Sequence, residues 1–251
     1  MAGTDSTQAP KLGGPSVILI EPQLGENIGA AARAMLNCGL TDLRLVNPRD
    51  GWPNPKADAM ASGALESAVQ VSLHDSTAAA IADLNYVLAT TARHRFMSKP
   101  IFTARAAAGE LRSRIADGQR CGLLFGAERS GMTNDDVALA NAIVTVPLNP
   151  SFSSLNLGQS VLLIGYEWYL RDDGTPARSF EDKGSPPATK AELQNFFSRL
   201  EDALDAVGFL RLADKRPIVV RNLRNLFQRA DLTEQELKTL HGVIAALRRE
   251  V

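Results

Sequence analysis

The chain has 251 residues, 45% of them hydrophobic, enough for one large or two modest cores. Its 27 Lys and Arg nearly balance 28 Asp and Glu, leaving a formal net charge of −1, so a strongly basic nucleic-acid binder is excluded on totals and any contact with a polyanion must come from a local patch. Two cysteines, Cys38 and Cys121, sit in or beside apolar runs and match neither a metal-ligand spacing nor a disulfide framework.

Residues 1–14 are small, polar and Pro/Gly-containing, without the apolar core of a signal peptide, and are expected to form a flexible tail. Over residues 15–172 short apolar runs alternate with longer amphipathic ones. That alternation predicts an α/β domain, a mostly parallel sheet with helices on both faces. Strands are predicted at 17–21, 43–46, 86–90, 121–125 and 142–146, with a weaker one near 69–72. Helices are predicted at 27–37, 57–68, 76–83, 103–117, 133–140 and 155–171. Pro, Gly, Ser and charge then replace periodic apolar residues, which marks 173–188 as a linker. Residues 189–251 are predicted to be a small helical domain: Thr189/Glu192 and Thr233/Glu236 have capping-box spacing, and Pro217 suits the first turn of a helix between them. No apolar run approaches the length that spans a bilayer, so a soluble, cytoplasmic protein without membrane contact is expected.

Three strand-to-helix turns carry unusual chemistry. The first is Asn27-Ile28-Gly29 with Arg33 one helical turn further on, where Asn27 has the side chain of an N-cap. In the second, Phe125-Gly126-Ala127-Glu128 leads through Gly131 to a helix capped near Thr133. Glu128 there suits either a dipole partner for the helix that follows or a functional group. In the third, Pro147-Leu148-Asn149-Pro150-Ser151-Phe152-Ser153-Ser154-Leu155-Asn156 interrupts an apolar strand before a helix restarts. Its prolines bar regular pairing, and its hydroxyls, amides and free backbone donors suit a polar ligand. The glycine-rich dinucleotide fingerprint, the P-loop, a His-rich metal spacing and the Gly-x-Ser-x-Gly elbow are absent from the sequence, and no metal is expected.

Taken in order, these turns resemble the three motifs of the SPOUT superfamily of RNA methyltransferases, and within it the TrmH-like ribose 2′-O-methyltransferases. The wording of 149–157, the segment Thr90-Thr91-Ala92-Arg93 and the helical tail are most similar to the TrmJ branch, which methylates the ribose at position thirty-two of the tRNA anticodon loop. The resemblance implies a C-terminal trefoil knot in the sheet domain, S-adenosylmethionine as cofactor and a homodimer. It implies a cofactor site built from Thr90, Thr91, Ala92, Gly126, Glu128, Val146, Leu148, Ser153, Ser154 and Leu155. Arg33 takes the catalytic place, with Asn27, Ser154 and Asn156 beside it, and Asn156 is either a helix cap or a substrate-positioning group. Arg93, His94, Arg95 and Lys99 follow the Thr90 loop and would supply the basic patch for RNA. The tail's Lys215, Arg216, Arg221, Arg224 and Arg229 either extend that surface or pack. Thr91, Ala127 and Met132 depart from the usual family wording. The expected substrate is tRNA, with rRNA or another tRNA position as the alternative, and a catalytically silent RNA-binding protein as the rival of a different class.

Overall fold

The computed structural model describes residues 9–92, 97–176 and 184–248. In chain order the elements are β1 (Ser16–Ile20), α1 (Gly25–Asn37), β2 (Asp42–Val46), α2 (Pro55–Ala61), α3 (Ala64–Ser67), β3 (Gln70–His74), α4 (Thr77–Ala80), β4 (Tyr86–Thr90), β5 (Ile101–Thr103), α5 (Ala104–Ala116), β6 (Cys121–Phe125), α6 (Asn134–Leu139), β7 (Ala142–Thr145), α7 (Leu157–Leu170), α8 (Lys190–Ala206), α9 (Arg216–Gln228) and α10 (Glu234–Leu247). They fall into two compact units, residues 1–174 and 175–251.

In the first unit seven strands form one sheet in the order β3-β2-β1-β6-β4-β7-β5, with every pair parallel. A parallel sheet is buried on both faces, which is why its strands read as apolar runs and not as alternations. Successive side chains along each strand then go to opposite faces. Val17, Leu19, Leu43, Leu45, Leu123, Phe125 and Val144 pack beneath α1, α2, α5 and α7. Ile18, Ile20, Val87, Ala89, Leu124 and Ile143 pack with Ala80 of α4 and Val137 of α6. Because all strands run the same way, the loops leaving β1, β4, β6 and β7 emerge at one edge of the sheet.

The helix covering the centre of this sheet can lie close because its residues are small. A Cβ on Gly29 of α1 would overlap the carbonyl oxygen of Ala57 in α2, and one on Gly158 of α7 would come within 2.9 Å of the Ala30 methyl. The small residues of α1 are therefore used, in part, for close packing inside the chain. Where a single helix was expected over 57–68, Ser62 and Gly63 take φ of 52° and 84°, and the left-handed turn splits it into α2 and α3. The short edge strand β5 was not anticipated. The end of the expected tail is also tied down, since Gly13 donates its amide to Gly39 O at 2.8 Å and Lys11 Nζ reaches Asp172 O at 3.3 Å.

The second unit is three helices. Both capping boxes close, with Thr189 and Thr233 accepting from the amides of Glu192 and Glu236. Leu193, Phe196 and Phe197 of α8 meet Leu237 and Ile244 of α10, and Phe227 of α9 stands edge-on to Phe196 at 4.9 Å. Residues 185–188, expected to be linker, belong to this unit: Ala188 N bonds Leu232 O at 2.8 Å and Ser185 Oγ accepts from Gln235 N. Two of the tail's cations are paired within it, Arg216 with Asp205 and Arg224 with Glu201, both at 2.7 Å.

One charged group is buried in the sheet. Arg44 of β2 is 6% exposed, and its guanidinium bonds Asp42 Oδ2 at 2.9 Å, Ala80 O at 2.7 Å and the Asp83 carboxylate, which Arg120 also pairs. The bond from Arg44 pulls the Asp83 carboxyl from 3.8 down to about 2. A depressed carboxyl contributes stability above its unfolded value and loses it as pH falls through the folded one. We expect Asp83→Asn to cost about 1–2 kcal/mol near neutral pH, since one acidic partner of a largely buried cation is lost while Asp42 remains. Urea unfolding of both proteins should show that gap closing between pH 3.8 and about 2.

Candidate active site

A cavity of about 340 Å³ lies at the strand edge where the loops leaving β6, β4 and β7, three adjacent strands, converge. Its wall holds Thr90, Thr91 and Ala92 from the first of the assigned segments, Gly126 and Glu128 from the second, and Val146, Leu148, Ser153, Ser154 and Leu155 from the third. The structure therefore gathers all ten residues assigned to a cofactor around one space. Phe125, Ala127, Arg129, Gly131, Met132, Val144, Leu157, Ser160 and Ile164, which the sequence reading did not assign to the cofactor, line it too. Ser160 and Ile164 sit three and seven positions after Leu157, so helical spacing from the closing loop was the available signal.

Each wall has a local cause. Thr90 ends β4 and turns its hydroxyl to Leu124 O at 2.8 Å, which pins that loop to the neighbouring strand. After β6 the chain folds straight back, Gly131 N bonding Ala127 O at 2.8 Å. A Cβ on Gly126 would overlap Met132 N and Gly131 C, so only glycine permits this return. After β7, Asn156 caps α7. Its Oδ1 accepts from Gly158 N at 2.8 Å, and Gln159 Oε1 accepts from the Asn156 amide at 3.1 Å.

The three motifs are joined by one chain of hydrogen bonds. Glu128 accepts from the amides of Gln23 at 2.9 Å and Leu24 at 3.4 Å and from Asn27 Nδ2 at 2.7 Å. Asn27 Oδ1 accepts from Asn156 Nδ2 at 2.9 Å. This corrects two local readings. Helix α1 begins at Gly25 behind Leu24, whose side chain cannot cap, so Asn27 lies inside its first turn and is not its N-cap. Glu128 serves the N-terminus of α1, about a hundred residues earlier in the chain, and not the helix that follows it, which Thr133 and Asp136 cap for themselves.

Other assigned residues lie elsewhere. Arg33 is exposed, does not line the cavity, and has no hydrogen bond or ion pair among the described residues. It projects between the α1 faces that meet α2 and α7. Lys99 donates to Ala138 O at 3.0 Å and to Ala140 O, capping the C-terminal carbonyls of α6, so its charge has an internal use. Arg93, His94 and Arg95 lie outside the described residues. Among the described residues no group of three or more His, Cys, Asp or Glu is placed to hold a metal.

The glycine and the carboxylate can be tested without any assay of function. Gly126→Ala should open the 126–132 turn and abolish ligand binding at the cavity while leaving the sheet folded, which calorimetry with S-adenosylmethionine and circular dichroism would read separately. Glu128→Ala should cost about 1–3 kcal/mol in urea unfolding, because three donors lose their acceptor, and Glu128→Gln less.

Comparison with known proteins agrees with the architecture. Residues 14–166 match the SpoU rRNA Methylase family, and residues 191–251 match the C-terminal domain of the tRNA methyltransferase TrmJ. The tRNA (cytidine/uridine-2′-O-)-methyltransferase TrmJ of Pectobacterium atrosepticum is 36% identical over 93% of this chain and 96% of its own length. Its Klebsiella pneumoniae counterpart is 35% identical over 93% and 96%. The crystal structure of TrmJ from Z. mobilis ZM4 superposes with a TM-score of 0.80 at 45% identity, covering 93% of this chain and 98% of that one. An AdoMet-bound rRNA methyltransferase from Sinorhizobium meliloti shares the fold at 18% identity, with a TM-score of 0.52 over 67% of this chain and 60% of that one. With residues 14–166 matching its model and relatives 35% and 36% identical over most of both lengths, this chain belongs to the SpoU rRNA methylase family.

Proposed function

We propose that the chain is an S-adenosylmethionine-dependent tRNA (cytidine/uridine) 2′-O-methyltransferase, acting in the cytoplasm on the ribose at position thirty-two of the anticodon loop. The observation that carries this reading is the single cavity in which every residue assigned to the cofactor meets. The space fits the group. Its size lies in the range of small-ligand pockets, roughly 300–1,000 Å³. Val146, Leu148 and Leu155 offer apolar surface for a purine, while Thr90, Ser153, Ser154 and backbone groups of the closing loop offer hydrogen bonds to its edge and ribose. When bound, S-adenosylmethionine supplies an electrophilic methyl on a sulfonium.

The chain's own residues then have to activate a weak nucleophile. A guanidinium does not give up its proton near neutral pH, so Arg33 is assigned as a fixed charge that stabilises the developing alkoxide and grips the neighbouring phosphate. Glu128, Asn27 and Asn156 hold the helix that carries it in register with the cofactor loops. Ser154 belongs to the cofactor wall, and Asn156 to the closing helix as its cap.

Because Arg33 is exposed and not part of the cavity wall of its own chain, the site is proposed to be completed in a homodimer, where this arginine serves the cavity of the second subunit. The exposed stripe Leu162, Tyr166 and Leu170, at four-residue spacing on α7, supports an interface there. A trefoil knot formed by the 126–132 and 146–156 loops with α7 is part of the same proposal. So is a division of labour in which 15–172 carries the chemistry and 189–251 recognises RNA, with Lys215, Arg221 and Arg229 among its exposed cations.

Arg33→Ala should lower methyl transfer to unmodified tRNA by about a hundredfold to a thousandfold while changing cofactor affinity little. Arg33→Lys keeps the charge but loses the planar fork, so partial activity points to electrostatics and none to a bidentate grip. Near-normal turnover of Arg33→Ala, measured with labelled methyl groups and nucleotide mapping, would remove the catalytic assignment.

A further inference from the structure

We infer that Phe152 is a stacking platform that holds an unpaired nucleobase at the rim of the cavity, next to the ribose being methylated. The inference rests on the RNA methyltransferase reading above and adds to it a residue that sets substrate binding. Phe152 is 78% exposed, the most exposed large hydrophobic side chain among the described residues. A single exposed hydrophobic needs no explanation in general. Position singles this one out. It stands at the tip of a turn whose two feet are walls of the cavity, Leu148 on one side and Ser153 and Ser154 on the other, while Phe152 itself lines nothing.

The turn is also built to be held. Asn149 Oδ1 accepts from Ser151 N at 3.2 Å and from Ser151 Oγ at 2.9 Å, and Asn149 O accepts from Phe152 N at 2.9 Å. Pro150 fixes one more backbone angle. A ring presented on a braced turn loses little freedom when a ligand covers it. Proteins that read single-stranded RNA splay bases out and stack them on such rings, and stacking tolerates either pyrimidine because every base has a π-face. An acceptor that is cytidine or uridine asks for that kind of contact, which a hydrogen-bonding pocket matched to one base edge would not provide.

The test uses the full-length protein and anticodon stem-loops with 2-aminopurine at single loop positions, alongside methyl transfer to unmodified tRNA. Stacking on Phe152 should quench the fluorophore at one or two positions. Phe152→Ala and Phe152→Leu should lose that quench and raise KM for tRNA by roughly tenfold or more, whereas Phe152→Tyr and Phe152→Trp should keep both. Cofactor affinity and sedimentation behaviour should not change in any variant. If Phe152→Leu matches the wild type, the ring is not stacking and the inference fails. It fails equally if Phe152→Ala methylates with unchanged KM, or if that variant dissociates into monomers, which would make Phe152 a subunit contact. A wild-type protein that shows the Phe152-dependent quench without methylating tRNA would overturn the function and leave the stacking intact.

Discussion

The architecture of the site depends on one carboxylate placed at a helix N-terminus from a distant loop. Helix α1 starts behind a leucine that cannot cap it, and Glu128 takes two of the preceding amides and the Asn27 side chain instead. Such an interaction is favourable twice over, as charge-assisted hydrogen bonding and as a negative charge at the positive end of the helix dipole. It also transmits position. Glu128 lies on the loop that Gly126 folds against Met132, and Asn27 passes the connection to Asn156, the cap of α7. Three loops that have no neighbour relation in sequence are thereby fixed relative to one another by three side chains.

The sheet makes this meeting possible. In an all-parallel sheet every strand delivers its C-terminal loop to the same edge, and β6, β4 and β7 are consecutive in the sheet although not in the chain. The buried faces supply the rigidity, with fully buried strands such as β1 and β6 between helices that approach closely over glycine and alanine. The loops at this edge carry backbone donors without ladder partners, which are available to a ligand.

How much of this was legible in the sequence depended on how local the cause was. Strands 86–90 and 121–125 were read to the residue because a buried parallel strand is an unbroken apolar run. The capping boxes at Thr189 and Thr233 were read because both partners are three residues apart. Three-residue β5 carries too few residues for any periodicity, and its exposed Ile101 weakens what signal there is. The split between α2 and α3 turns on two left-handed residues in an otherwise continuous alanine-rich pattern. The readings of Glu128 as partner of the following helix and of Asn27 as an N-cap failed for the same reason: the sequence shows only the nearest helix, and these two bonded side chains are 101 positions apart. Lys99 looked like part of a basic patch because nothing local reveals that it faces the open carbonyls of α6. The ten assigned cavity residues were reachable through the motif resemblance, since periodicity alone marks none of those ten, while for Ser160 and Ile164 the available signal was helical spacing.

If the cavity of one chain and Arg33 of another make one site, two inactive variants should complement each other in a mixed dimer. Arg33→Ala removes the charge and leaves the cavity, while Ser154→Trp fills the cavity and leaves the charge. Each homodimer should be inactive. A purified heterodimer of the two, selected with different affinity tags, contains one cavity that is intact and faces an intact Arg33, so it should recover about half of the wild-type methylation rate if the two sites are independent. A heterodimer as inactive as its parents would show that Arg33 serves the cavity of its own chain, and would contradict the account.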